Sequence, residues 1–130
     1  MATTERRDIL DHEYVKIYTS GFGDIVLLFE NEKERPLAVG QKMNEINEEA
    51  YMNGYNWDAL FNCYLEEIAP DILESMESDP EAGSYAAYFK ETQENEQKAK
   101  RFADIIISLI ENEDETYQML REKGDEIEWD

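Results

Sequence analysis

The stretch Glu74–Lys90, ESMESDPEAGSYAAYFK, decides the fold, because its carboxylates Asp79 and Glu81 flank a proline and precede a glycine and must either perform chemistry or shape a turn. Asp79 suits the first position of a turn and Pro80 the second, and Gly83 falls where a positive φ is needed. Beyond them SYAAYF is aromatic-rich and alternates as a strand does. The stretch therefore reads as a hairpin whose turn is shaped by Asp79, Pro80 and Gly83.

Working outward, the same logic finds a second hairpin nearer the start of the chain. In YVKIY, Val15 and Ile17 point one way and Tyr14, Lys16 and Tyr18 the other; the Gly-rich SGFGD follows, and then the apolar run IVLLF. Between the hairpins, Val39, Met43, Ile46 and Ala50 recur at spacings of four, three and four. With Pro36 near the start, that spacing predicts a helix over about residues 37–51. Trp57, Leu60, Phe61, Tyr64, Leu65 and Ile68 then form an apolar stripe opposite Asp58, Asn62 and Glu66, giving a second helix that ends near Pro70. After the second hairpin, Thr92 can cap a long helix with Ala99, Phe102, Ala103, Ile106 and Ile110 on its buried face. A short helix over about residues 114–123 follows, and residues 124–130, GDEIEWD, read as a loosely attached acidic tail. The order ββααββαα implies an α+β fold: an antiparallel sheet of about four strands with helices packed on one face.

The chain has 130 residues, 42% apolar and 34% charged, a composition expected of one globular domain over residues 1–130. The polar start carries no secretory signal, no apolar run is long enough for a membrane span, and the lone Cys63 cannot form an internal disulfide, so a reducing cytoplasm is the expected compartment. The net charge of −20, from 32 acidic and 12 basic residues, opposes compaction. It is also unevenly spread. Between Lys42 and Lys90 there is no basic side chain and no histidine, while Glu45, Glu48, Glu49, Asp58, Glu66, Glu67, Asp71, Glu74, Glu77, Asp79 and Glu81 all lie there. A bias shared by a whole halophilic proteome would not spare one segment in this way, so the block is expected to meet a partner.

The charge sign disfavours direct binding of DNA or RNA, and neither a P-loop nor a G-x-G-x-x-G run occurs. A paired-carboxylate hydrolase needs two acids about 5–10 Å apart beside a cleft. Asp79 and Glu81 could supply them, but in so acidic a chain close pairs are inevitable. His12 stands alone in the polar N-terminal arm, and Cys63 has no clustered partner, so both read as structural or incidental. Neither a catalytic residue, a metal site nor a cofactor is expected. In NGYNW (Asn53–Trp57), Asn53-Gly54 reads as the left-handed stop of one helix, Asn56 as the cap of the next and Trp57 as the start of its stripe. Tyr55 is left over, an aromatic on a rigid corner inside the acidic block, of the kind enriched at interface hot spots.

NGYNW and DPEAG, separated by the helical YLEEIAPDI, resemble the immunity protein 51 family of bacterial polymorphic toxin systems, over about residues 12–112. The family pattern runs Gly-Asn-Gly-Tyr-Asp-Trp and Phe-Asp-Pro-Glu-Ala-Gly-Met-Phe. Here Met52 replaces the first glycine, Asn56 the aspartate, Ser78 the first phenylalanine and Ser84-Tyr85 the Met-Phe pair. The resemblance implies a small intracellular protein, not an enzyme, that binds and neutralises a cognate secreted toxin. If the toxin is a nuclease its cleft is basic, and an acidic inhibitor suits it. The alternative is an acidic adaptor or nucleic-acid mimic acting on a basic host protein. In either case the candidate contact residues are Tyr55, Asp58, Glu66 and Glu67 on the second helix and its corner, with Asp79 and Glu81 at the hairpin. Should the acidic block be only a solvated face, the interface is expected around SGFGD.

Overall fold

The computed structural model describes residues 6–130. Its sheet has five strands: β1 (Asp8–Asp11), β2 (Val15–Thr19), β3 (Asp24–Phe29), β4 (Met76–Pro80) and β5 (Tyr85–Lys90). They lie in the order β1-β2-β3-β5-β4, with every neighbouring pair antiparallel. The helices are α1 (Glu34–Ile46), α2 (Gly54–Ile68), α3 (Pro70–Glu74), α4 (Gln93–Glu111) and α5 (Glu113–Lys123). The class is α+β as expected, with one strand and one short helix more than the sequence suggested.

The strand period of two turns alternate residues of β2, β3 and β5 toward the helices. Val15 and Ile17 of β2, Ile25, Leu27 and Phe29 of β3, and Tyr85, Ala87 and Phe89 of β5 all turn to the helix layer and are buried. There α4 lies over β2, β3 and β5, and α2 over β5 and β4. Phe61 of α2 sits at the aromatic centre, with ring centroids 5.0 Å from Tyr85, 5.4 Å from Phe102 and 5.8 Å from Phe29. Trp57 is fully buried one turn earlier, edge-on to Phe29 at 5.3 Å. Of the apolar stripe read from the sequence of α2, Trp57, Leu60, Phe61 and Leu65 are buried, Tyr64 is half-buried, and Ile68 at the helix end is exposed.

Several expectations are corrected, each for a local reason. The N-terminal arm supplies β1, whose Leu10 pairs with Ile17 across a bulge at Ile9; with only two apolar residues it carries no visible strand period. Helix α1 starts and stops early, at Glu34 and Ile46. Its extension to Ala50 is prevented by asparagines that offer the backbone other partners: Asn44 Nδ2 donates to the Glu48 carbonyl at 3.2 Å, and Asn47 Oδ1 accepts from Glu49 N–H at 3.0 Å. Pro70 starts the extra helix α3, which buries Ile72. Asp79 and Pro80 belong to edge strand β4, opposite Ala86 and Tyr85, so the turn is residues 81–84, closed by Glu81 N–H to the Ser84 carbonyl at 2.8 Å. An edge strand tolerates a proline because no neighbour needs its N–H. Gly83 does not have a positive φ; among the described residues only Gly21 (φ 84°) and Gly23 (φ 93°) do, in the β2–β3 loop.

The cap of α2 is also reassigned. Asn53, expected to end a helix, begins one: its side chain accepts from Asn56 N–H at 3.0 Å. Asn56 is buried instead, and its Nδ2 donates to the Tyr51 carbonyl at 2.8 Å. Thr92 caps α4 as expected, its Oγ1 accepting from Asn95 N–H at 3.0 Å. Residues 124–130 are attached rather than loose: Ile127 is buried, Trp129 Nε1 donates to the Gly124 carbonyl at 3.1 Å, and Asp130 N–H donates to Asn56 Oδ1 at 2.7 Å. No helix among the described residues is long and apolar enough to cross a membrane.

Candidate functional site

NGYNW and DPEAG, far apart in the chain, form one structural unit. The first residue of α2, Gly54, donates its N–H to the Ala82 carbonyl at 3.0 Å. A Cβ at Gly54 would overlap the carbonyl oxygens of Glu81 and Ser84, so only glycine lets the helix start rest on the hairpin loop. Asn31 Nδ2 also donates to the Ala82 carbonyl, at 3.3 Å. The two motifs are therefore a scaffold that fixes where α2 begins and which side chains it presents.

From that start, Tyr55, Asp58 and Glu66 line one side of a groove of about 360 Å³. Its other side is the segment after α5, with Glu126, Glu128, Trp129 and Asp130. None of Asp58, Glu66, Glu126, Glu128 and Asp130 takes part in an ion pair among the described residues. Tyr55 is 42% exposed at the mouth. Asp58 bridges groove and core: Oδ2 accepts from Asn62 Nδ2 at 3.4 Å, whereas Oδ1 is buried with no hydrogen-bond partner among the described residues. Burial first, and then the negative charge of Asp58, hold the fully buried Tyr85 hydroxyl well above its ordinary pKa. Cys63 also lines the groove, and burial followed by the charges of Glu126, Glu67 and Glu66 raises its thiol pKa, which favours the neutral thiol.

The other candidates lie elsewhere. Glu67 turns away from Glu66 to an ion pair with Lys123, in a neighbouring apolar groove with Ile68, Met119 and Ile127. Asp79 stands on the edge strand, on the open face of the sheet, opposite Ala86. Glu81 is exposed in the loop that supports Gly54. Phe22, between the two positive-φ glycines of SGFGD, is 87% exposed. His12 is a local structural residue, its Nδ1 accepting from Tyr14 N–H at 3.3 Å and its ring edge-on to Tyr14. No group of three or more His, Cys, Asp or Glu side chains among the described residues could hold a metal ion.

Sequence reasoning missed the contribution of Glu126, Glu128, Trp129 and Asp130, because so charged a segment was expected to stay in solvent. The signal lay in Ile127 and Trp129, two large apolar residues at strand spacing within an acidic run.

The family model described as Immunity protein 51 matches residues 16–125. No curated protein and no solved structure matches the chain.

Proposed function

The chain belongs to the immunity protein 51 family, and on that premise we propose that it neutralises a cognate secreted bacterial toxin by seating its acidic groove against a basic, nuclease-like cleft. It performs no chemistry of its own and acts by occlusion.

The observation that carries this reading is the groove between α2 and residues 126–130, lined by five acidic side chains none of which is in an ion pair among the described residues. Some acids elsewhere do have a cation: Asp71 pairs with Arg101, Glu96 with Arg7 and Glu111 with Arg35. Leaving carboxylates of one sign facing each other costs stability through repulsion, which a cationic partner would relieve. A cleft that holds phosphates presents Lys and Arg, and complementary fields can raise association from about 10⁵–10⁶ toward 10⁸ M⁻¹s⁻¹ or more. Tyr55 and Trp129 give the same groove the aromatic surface from which interface anchors are drawn.

Immunity proteins are encoded beside their toxins, so the neighbouring open reading frame names the partner to purify. The toxin should bind this chain and lose its activity in proportion to the complex formed. A toxin whose activity is untouched by saturating amounts of the chain would reject the reading.

A further inference from the structure

The face of the sheet turned away from the helices carries a row that reads the same from either edge. Asp8 of β1 stands opposite Tyr18 of β2, Tyr18 opposite Val26 of β3, Val26 opposite Tyr88 of β5, and Tyr88 opposite Glu77 of β4. Residues paired across an antiparallel sheet share a face, and their strand neighbours, such as Ile17, Ile25, Leu27, Ala87 and Phe89, are the ones that turn to the core. Acid, tyrosine, valine, tyrosine, acid is therefore one line of side chains, with Val26 buried at its middle and Tyr88 38% exposed.

One half of the row already holds a cation. The Arg6 guanidinium lies over the Tyr18 ring, 3.8 Å from its centroid, and Arg6 Nε donates to Asp8 Oδ1 at 3.2 Å. The ring offers its negative face and the carboxylate opposite offers charge and an acceptor, which together match a flat, weakly hydrated guanidinium. The other half has the same parts and no such cation. Neither Glu77 nor Asp79, which follows it on the same face opposite Ala86, forms an ion pair among the described residues. Both residues are exposed, so both carboxylates are open to a partner. Asp79 stands close enough to Tyr88 that its charge, after burial, raises the phenol pKa. The nearest cation in register, Lys90, stands opposite Asp24 and pairs with neither acid.

We propose that Tyr88, Glu77 and Asp79 seat an arginine side chain of the toxin, its guanidinium lying on the Tyr88 ring as Arg6 lies on Tyr18 and donating to the two carboxylates. Arginine fits better than lysine because its planar fork serves two acceptors at once and stacks on an aromatic face. The seat also adjoins the acidic groove. Asp79 leads through Pro80 into the 81–84 loop on which Gly54 rests, and Tyr55, next in α2, stands at the groove mouth. A partner in the groove thus has only the edge strand β4 to reach around. A second copy of this chain is the poorer occupant, because a net charge of −20 sets the two molecules against each other. The inference rests on the toxin-binding reading above and adds a short-range anchor to the long-range field of the groove.

The test measures Kd and dissociation of the toxin encoded by the adjacent gene for the wild type, Tyr88→Phe, Tyr88→Leu and Glu77→Gln/Asp79→Asn, after urea denaturation shows which variants are folded. Tyr88→Phe keeps the ring and should bind within about twofold of wild type, whereas Tyr88→Leu keeps only apolar cover and should raise Kd about 3–30-fold, mostly through faster dissociation. Glu77→Gln/Asp79→Asn should raise Kd over the same range of about 3–30-fold, and it leaves the ring in place, so it carries the test if Tyr88→Leu does not fold. Among toxin variants with single arginine-to-lysine changes, one should bind weakly and be indifferent to Tyr88→Leu, which identifies the seated side chain. Tight wild-type binding with Tyr88→Leu and the acid variant unchanged, or with Tyr88→Phe as weak as Tyr88→Leu, would overturn the arginine seat and leave toxin binding standing. A dimer of the free protein that Tyr88→Leu disperses, seen by analytical ultracentrifugation, would give the face to a second copy and overturn the seat as well. A wild type that binds no toxin would remove the toxin reading, and the seat's occupant with it.

Discussion

Gly54→Ala tests the scaffold that positions the site. The added Cβ would meet the carbonyl oxygens of Glu81 and Ser84 and approach Glu81 C to 2.9 Å, and these are backbone atoms that no rotamer change can move aside. Either the 81–84 loop or the start of α2 must shift. Overpacking of this kind costs about 1–3 kcal/mol, and losing the Gly54 N–H bond to Ala82 adds about 0.5–1.5 kcal/mol. The better helix propensity of alanine returns at most about 1 kcal/mol, less at a helix end. A net loss of about 2–4 kcal/mol follows, which for an m-value of about 2 kcal/mol/M lowers the urea midpoint by about 1–2 M. Gly83→Ala in the same loop is the control. Its Cβ would come within 2.6 Å of Glu32 Oε1, the tip of an exposed side chain that can swing away, and its φ is not positive. That variant should stay within about 0.5 kcal/mol of wild type. Unfolding followed by far-ultraviolet circular dichroism and by the fluorescence of buried Trp57 decides between them. Equal midpoints for the two variants would refute the packing of α2 on the hairpin loop.

Three further outcomes follow from the core and the ion pairs. Trp57→Ala removes a fully buried ring between Phe29 and Phe61 and should cost about 3–5 kcal/mol in urea denaturation. Ile127→Ala should cost about 2–3 kcal/mol if the segment after α5 is docked, and nothing measurable if it hangs in solvent. The hydrogen bond from Arg101 is the main cause that holds the Asp71 carboxyl below its ordinary pKa, which nuclear magnetic resonance titration of wild type and Arg101→Gln should display as a low value that returns to the ordinary range. Because the folded pKa is the depressed one, this pair's contribution is present above the ordinary carboxylate range and is lost as pH falls through the folded value. An Asp71 titration unaltered by Arg101→Gln would show that the pair does not persist in solution.

What the sequence reveals depends on how many residues share a period. Trp57 to Ile68 and Ala99 to Ile110 repeat the helical spacing over three turns or more, so α2 and α4 could be read with their buried faces. Strand β1 has four residues and a bulge, too few to show a period. The early end of α1 depends on Asn44 and Asn47 bonding to the following backbone, a contest between side chain and helix that apolar spacing cannot register. Within the site, helix geometry alone gathers Tyr55, Asp58 and Glu66. It also separates Glu67 from Glu66 by about 100° of rotation, which the charge run obscured. The role of Gly54 was hidden for another reason: its constraint is a contact with residues 81–84, and a contact between distant segments leaves no mark in local spacing.

The acidic groove is tested most directly by the association rate constant with the toxin from the adjacent gene, measured by stopped flow between about 0.05 and 0.5 M salt. Wild type should associate at least about tenfold more slowly at the high salt. Asp58→Asn/Glu66→Gln/Glu126→Gln should be slower at low salt and show a flatter dependence, while its dissociation rate changes little. Wild-type association that is equally fast at both salts, with the triple variant indistinguishable from it, would contradict toxin capture by this groove and move the search to Phe22 and the β2–β3 loop.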